Sequence, residues 1–326
     1  MKIAVTGASG HVGNVLCREL AARGQQFKAL VHINSDDLEN MGAEVVKGDL
    51  LDQGSLVTLF RNAEVVFHLA ARISLNERRN KELMKVNVEG TANVIDACLK
   101  TGVKRLVYFS SIHALDPFPY DEELNEKRGY NLHSTMSYEA SKIMGEKLAL
   151  SAIKPGLEVV VISPTAIIGP WDFQPSFLGR ALIMIHNNSL PMLLPYGYNW
   201  VDVRDVVNGA LAAAEKGHNG ERYILSGHWL SLGDLSAMIG KITRRKTTKF
   251  IGSPALAYIG LPFIQAWALL RNEAPLYTKN SLEILRQSNN NISCAKAVSE
   301  LGYAPRPLEA TIKDTFDWFR THGLIR

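Results

Sequence analysis

The sequence predicts an α/β fold, a doubly wound parallel sheet with a smaller, mostly helical C-terminal region. Three observations carry that expectation. Short apolar runs alternate with helix-length patterns through the first half. Glycines spaced three apart join the first run to the first helical pattern. After Pro164 the alternation gives way to a stretch rich in proline, glycine and aromatics.

The runs Ile3–Val5, Phe27–Val31, Glu44–Val46, Val65–His68, Arg105–Phe109 and Val159–Ile162 are short, and several are nearly continuous in Val, Ile and Leu. Strands buried on both faces have that composition. Between them, Val12–Arg23, Ser55–Phe60, Leu83–Lys100 and Tyr138–Ala152 carry helical patterns. Strand–helix–strand repetition winds into a parallel sheet. Beyond Pro164, residues 201–216 return to a helix, Arg222–Leu225 reads as a strand and Leu232–Thr243 as an amphipathic helix. The expected division is residues 1–163 with 201–227 as a nucleotide-binding domain, and 164–200 with 228–326 as a region that walls a substrate.

Composition bounds the function. At 326 residues, 46% hydrophobic and 21% charged, the chain can bury a sizeable core. The net charge of +4 is mild, and the densest basic cluster, Arg244-Arg245-Lys246, reads as a solvated turn, so no nucleic-acid partner is expected. Cys17, Cys98 and Cys294 are far apart and lack metal spacing, so neither a disulfide nor a metal site is expected. The start at Met1-Lys2-Ile3 resembles no signal peptide, and a cytoplasmic location is the expectation. Phe250 to Leu270 carries no charge, but Pro254, Gly260, Pro262 and Gln265 weaken it as a spanning helix. A buried or substrate-capping helix is expected there, with membrane contact as the alternative.

Thr6-Gly7-Ala8-Ser9-Gly10-His11-Val12-Gly13 follows the first strand and opens a helix. Gly7 permits a tight turn, Gly10 leaves room for a pyrophosphate, and Gly13 allows close helix–sheet packing. The free N–H groups of the helix start then favour a phosphate. This is the signature of a Rossmann dinucleotide site. A carboxylate at the end of the second strand would hold a ribose 2′-hydroxyl. Here Leu30-Val31-His32 is followed by Asn34 and Ser35, and no carboxylate comes before Asp36, which tilts the expectation to NADP over NAD; Arg18 stands ready to help, and NAD stays open. Ser9, His11, Val12, His32, Asp49, Leu50 and the strand-end residues Leu69, Ala70 and Ala71 complete the expected cofactor contacts, with Pro164, Tyr138 and Lys142.

Tyr138 and Lys142 stand four apart at the start of a helical pattern and share one face. Carbonyl reduction needs a proton donor at oxygen, and a nearby ammonium is expected to lower a tyrosine pKa. The spacing alone recurs by chance. The context strengthens it, because Arg105–Phe109 ends in Ser110-Ser111, and active groups gather at the carboxyl ends of parallel strands. No Gly-x-Ser-x-Gly elbow surrounds Ser111, which argues against a hydrolase.

Together with Gly48-Asp49-Leu50, His68-Leu69-Ala70-Ala71, Asn87-Val88-Glu89-Gly90-Thr91, the stretch from Pro164 to Pro170 and Val201-Asp202-Val203-Arg204-Asp205, these motifs resemble the extended short-chain dehydrogenase/reductase superfamily, from residue 1 to about residue 240. The resemblance implies a catalytic set of Ser111, Tyr138 and Lys142, with Asn87 supporting the sheet beside the cofactor. Sugar epimerases of the superfamily carry Asn and Tyr where this chain has Ala166 and Ile168, and often an arginine where it has Tyr198. Dehydratases carry an acidic pair where it has Ile112-His113. What remains is similar to the dihydroflavonol 4-reductase and 3-beta-hydroxysteroid dehydrogenase branch, and residues 169–176 are also similar to a hopanoid-associated sugar-epimerase-like group. The implied activity is NAD(P)-dependent reduction of a carbonyl, or oxidation of the alcohol, on a fairly apolar small molecule. The alternatives are an NAD-dependent sugar epimerase without net redox change, and a nucleotide-binding module without catalysis. His113, Trp171, Phe173, Arg180 and Tyr198 are candidate substrate contacts by position, and the chain is expected to be a monomer or a homodimer.

Overall fold

The structure is a computed structural model that describes residues 2–32, 36–73, 80–261 and 278–326. Seven strands form the main sheet: β1 (Ile3–Thr6), β2 (Phe27–Val31), β3 (Glu44–Lys47), β4 (Val65–His68), β5 (Arg105–Phe109), β6 (Glu158–Pro164) and β9 (Arg222–Leu225). Their order is β3-β2-β1-β4-β5-β6-β9, and every pairing is parallel. β1 and β4 are buried along their whole length, which is why their sequences do not alternate.

Helices cover both faces. α1 (His11–Ala22), α8 (Val203–Lys216) and α12 (Ala295–Leu301) close one face, where Val15, Leu16, Leu20, Val206 and Leu301 join one apolar core. α3 (Gln53–Phe60), α5 (Gly90–Thr101) and α6 (Ser137–Ser151) close the other, around Leu56, Phe60, Val94 and Leu106. The short α2 (Asp36–Asn40) leads into β3. The pattern read as one helix over Leu83–Lys100 comprises α4 (Lys81–Met84), a π-helical turn at Lys85–Glu89, and α5. The turn carries buried Asn87, a use of π-bulges common at functional sites.

The second region has its own three-stranded sheet, β10-β8-β7, made of β7 (Ala166–Ile168), β8 (Gly197–Asp202) and β10 (His228–Ser231). None of these strands was expected from the sequence, and residues 201 and 202 belong to β8 rather than to the helix read over 201–216. α7 (Phe177–His186), α9 (Leu232–Thr243), a helix over 254–261 (α10), α11 (Lys279–Arg286) and α13 (Leu308–Thr321) surround it. Leu182, Trp200, Leu235, Leu285 and Phe316 form its core. The Val201–Asp205 motif fastens the two regions. Asp202 caps α8 through the Arg204 N–H and binds the Arg204 side chain, which also reaches Asp314 of α13 at 2.8 Å, while Arg306 grips Asp205.

The uncharged segment from Phe250, expected as a buried or substrate-capping helix, is buried on one side only over its described residues. Ala257 and Leu261 are buried, but Phe250, Ile251, Leu256, Tyr258 and Ile259 are exposed, and residues 262–270 lie outside the described residues.

Candidate active site

The glycine turn lies at the carboxyl end of β1, in the middle of the sheet. Gly7 has φ +77°, and a Cβ there would collide with the Ala70 backbone; one at Gly13 would strike the Gly7 carbonyl. A Cβ at Gly10 would meet only the Gly7 oxygen at 3.4 Å, so the space in front of Gly10 is open. Gly10 is also the N-cap of α1 and supplies no side-chain cap, which leaves the helix-start N–H groups for a ligand. That cradle fits a dinucleotide pyrophosphate. His11 turns its Nε2 to the Pro170 carbonyl at 2.9 Å, so its ring ties α1 to the segment after β7.

The remaining expected cofactor contacts gather round the same edge. Leu50 is buried and packs against Gly90, where a Cβ would strike its side chain. Asp49 accepts from the Leu51 N–H at 2.8 Å and stands 3.5 Å from His32 Nδ1; both side chains are exposed. Asn34 and Ser35, which bear on the cofactor choice, lie outside the described residues. Arg18 donates to Asn14 at 2.8 Å, lies over the Phe173 ring and faces Asp37 at 3.8 Å. Leu69 and Ala70 donate to the Thr6 carbonyl and Thr6 Oγ1, and Pro164 ends β6 opposite Leu225. His68 is buried between Thr6 Oγ1 (2.7 Å) and Thr91 Oγ1 (3.1 Å), and burial together with the Lys142 charge pushes its pKa down to about 3. It is a neutral, satisfied histidine. Asn87 clamps the backbone of Arg72, through 2.7 and 2.9 Å bonds, to Ser141 of α6.

The end of β5 brings Ser111, Tyr138 and Lys142 together. Ser111 accepts the His113 N–H at 3.2 Å and hydrogen-bonds Tyr138, which opens α6. One turn on, Lys142 is buried and donates from Nζ to the Phe109 carbonyl at 2.8 Å. The expected lowering of the phenol pKa by this ammonium is not found. Burial pushes Tyr138 up to about 12, against the downward pull of the Ser111 bond. Burial drives Lys142 down to about 8, opposed by the Glu146 carboxylate. At neutral pH the phenol therefore carries its proton and the lysine its charge.

Sequence reasoning missed the support behind this set. Glu146 is fully buried and accepts from Arg222 (Nε at 2.8 Å, and Nη2), from Ser110 Oγ and from Tyr130 at 3.2 Å. Its signal was present, since Tyr138, Lys142 and Glu146 continue one four-residue spacing.

The substrate candidates separate. His113 lies 4.0 Å from buried Glu139, which also accepts from Asn131, and the pair lines a cavity of about 410 Å³ with Leu124, Ile284 and Asn289. Burial lowers the His113 pKa against the Glu139 charge. Tyr198 lines a second, apolar pocket that opens to solvent, about 480 Å³ with its mouth included, between α7, β8, α9 and α11, with Leu182, Leu193, Trp200 and Leu285. Trp171, at φ +64°, packs against both the main and the second core; Arg180 is exposed on α7; Phe173 sits edge-on to Trp318 of α13.

The model of the NAD dependent epimerase/dehydratase family matches residues 3–226. The chain belongs to that family. Over its full length and that of the relative, it is 31% identical to sterol demethylase protein B of Methylococcus capsulatus. Dihydroflavonol 4-reductase of Zea mays is 29% identical across 73% of each chain. The crystal structure of gox2253 superposes with a TM-score of 0.85 at 32% identity, covering 99% of both chains. The chain is thus an extended short-chain dehydrogenase/reductase on a Rossmann fold, with dihydroflavonol-reductase-like relatives, and the family uses NAD(P).

Proposed function

We propose that the protein is an NAD(P)-dependent oxidoreductase that interconverts a carbonyl and an alcohol on a fairly apolar small molecule, with NADP(H) preferred over NAD(H). The observation that carries this reading is the meeting of Ser111, Tyr138 and Lys142 at the carboxyl end of β5, in the same sheet as the open glycine cradle. Gly7, Ser9, Gly10 and Gly13 with the start of α1 would hold the pyrophosphate, and Asp49, Leu50, Leu69, Ala70, Ala71 and Pro164 would border the rest. When bound, the dinucleotide supplies or accepts the hydride.

Tyr138 holds the proton that a carbonyl oxygen needs as it becomes an alcohol, and its raised pKa keeps that proton in place at neutral pH. Ser111 fixes the phenol and offers a hydrogen bond to the same oxygen. Lys142, held by the Phe109 carbonyl, places a positive charge where negative charge gathers once the proton has left. Protons return to Tyr138 from solvent.

Two features support an apolar substrate. The second cavity is lined almost wholly by aliphatic and aromatic side chains. Two of the relatives named above carry a sterol and a dihydroflavonol, both multi-ring molecules, in their names. His113, beside the catalytic end, is assigned to the oxygen-bearing part of the substrate, and Tyr198 to its apolar part. NADP preference is supported by β2, which ends at Val31 with His32 following and no carboxylate there.

A screen of hydrophobic ketones and aldehydes with NADPH and NADH, followed by absorbance, tests the reading. NADPH oxidation faster than NADH oxidation is expected. Tightly retained NAD that does not exchange, together with interconversion of nucleotide-sugar epimers, would contradict it.

A further inference from the structure

The strongest feature outside the catalytic end is the stretch that follows α9. Between Asp234 and Glu273 the sequence holds no carboxylate, while Lys241, Arg244, Arg245, Lys246, Lys249 and Arg271 are basic. Of the described ones, Lys241 reaches Glu309, and Arg245 donates to the Arg326 carbonyl. Arg244, Lys246 and Lys249 are exposed.

The chain then turns apolar. Leu193 pins it through backbone bonds with Phe250 and Gly252, both 2.8 Å. Ser253 Oγ accepts the Leu256 N–H at 3.3 Å as α10 begins. Ala257 and Leu261 face inward and belong to the core that also contributes Leu182 and Leu285 to the 480 Å³ cavity. The outer side is just as apolar: Leu256 is 51% exposed, Tyr258 38% and Ile259 68%, with Phe250 at 60% and Ile251 at 52% just before the helix. A helix that is hydrophobic all round is normally covered on all sides. Ala257 and Leu261 fix which side faces inward, the described residues leave the outer side exposed, and an exposed apolar patch of this kind marks an interaction site.

Charge decides between covers. A second copy seated face to face would bring the same cations against each other with no carboxylate from this stretch to offset them. An anionic lipid surface matches both halves of the feature, apolar side chains for the acyl boundary and cations for the headgroups. No helix among the described residues is long and apolar enough to cross a membrane.

We infer that this face seats the protein on an anionic membrane surface, with the outer side of α10 and Phe250–Ile251 in the interfacial layer and Arg244, Lys246 and Lys249 against the headgroups. The seat adjoins the region proposed to hold an apolar substrate, a class of molecule that dissolves in lipid. The inference uses none of the catalytic residues and stands whether or not the proposed chemistry does.

Flotation of the full-length protein with vesicles tests it. With equal parts phosphatidylcholine and phosphatidylglycerol at low salt, the protein should float. Binding should fall about tenfold at high salt or on phosphatidylcholine alone. The double variant Leu256→Asp/Ile259→Asp should lose about tenfold or more on the anionic vesicles, with its circular dichroism and melting temperature unchanged. The triple variant Arg244→Glu/Lys246→Glu/Lys249→Glu should lose the preference for anionic lipid. The inference is overturned if the wild type stays behind with both vesicle types, or if the double variant floats as well as the wild type. It is equally overturned if sedimentation finds a dimer that the aspartates dissociate while vesicles capture nothing.

Discussion

The end of β5 and the α7–β8–α9–α10 region solve opposite problems. At β5 the chain buries charge: Lys142 on the Phe109 carbonyl, and Glu146 among Arg222, Ser110 and Tyr130. Each group is matched, and each match fixes a position. In the other region the chain leaves apolar surface uncovered, in an open pocket and at Leu256 and Ile259. Under the proposed function, matched polar groups would give a rigid place for proton transfer, and the open apolar pocket would accept molecules of varied shape. Changes at the first should therefore break the protein or its chemistry, and changes at the second should alter what it binds.

The largest stability effect is expected from Glu146→Ala. It strands the mostly buried Arg222 guanidinium, and loss of one partner of a buried pair costs about 3–5 kcal/mol. Urea denaturation should place its midpoint far below that of the wild type. A loss under about 1 kcal/mol would mean that this network does not hold α6 to β9.

Next is the pH profile. Lys142 is charged below about 8 and loses its proton as pH rises through that value. The kcat/KM for carbonyl reduction should hold steady from neutral pH to about 8 and then fall about tenfold per unit, one log for one ionisation. Lys142→Arg, whose charge persists, should flatten that limb even if its overall rate is lower. A smaller change is expected from Ala181→Phe, which puts a ring into the apolar cavity. KM for a bulky apolar substrate should rise about tenfold with kcat kept, the mark of lost binding that is equal in ground and transition states. If KM is untouched, the cavity lies off the substrate path. Smallest is Lys313→Ala, which removes an exposed pair with Asp317 on α13 and should leave the melting temperature where it was.

The same contrast explains what the sequence disclosed. The glycine turn was legible because Gly7 and Gly13 sit where no side chain fits. Ser111, Tyr138 and Lys142 were legible from a strand end and one helical turn. All of these are local demands. β7, with three residues, and β8, whose Gly197-Tyr198-Asn199 reads as loop, are strands only because each has a partner, and Trp200 pairs with His228 far along the chain. The Glu146–Arg222 pair spans 76 residues, so the helical spacing that points to Glu146 says nothing of its partner. The direction of the Tyr138 shift was misjudged because spacing reports proximity to Lys142, not the burial that outweighs it. The missing charges after Lys249 were plain, but only the packing of Ala257 and Leu261 reveals which side of α10 is left outside.

Tyr138→Phe tests the central claim most directly, through NADPH binding followed by fluorescence and carbonyl reduction followed by absorbance on one preparation. The account predicts a dissociation constant within about twofold of the wild type and turnover reduced about a thousandfold, the scale of a lost general acid. Turnover near the wild-type rate with the phenol oxygen gone would contradict it.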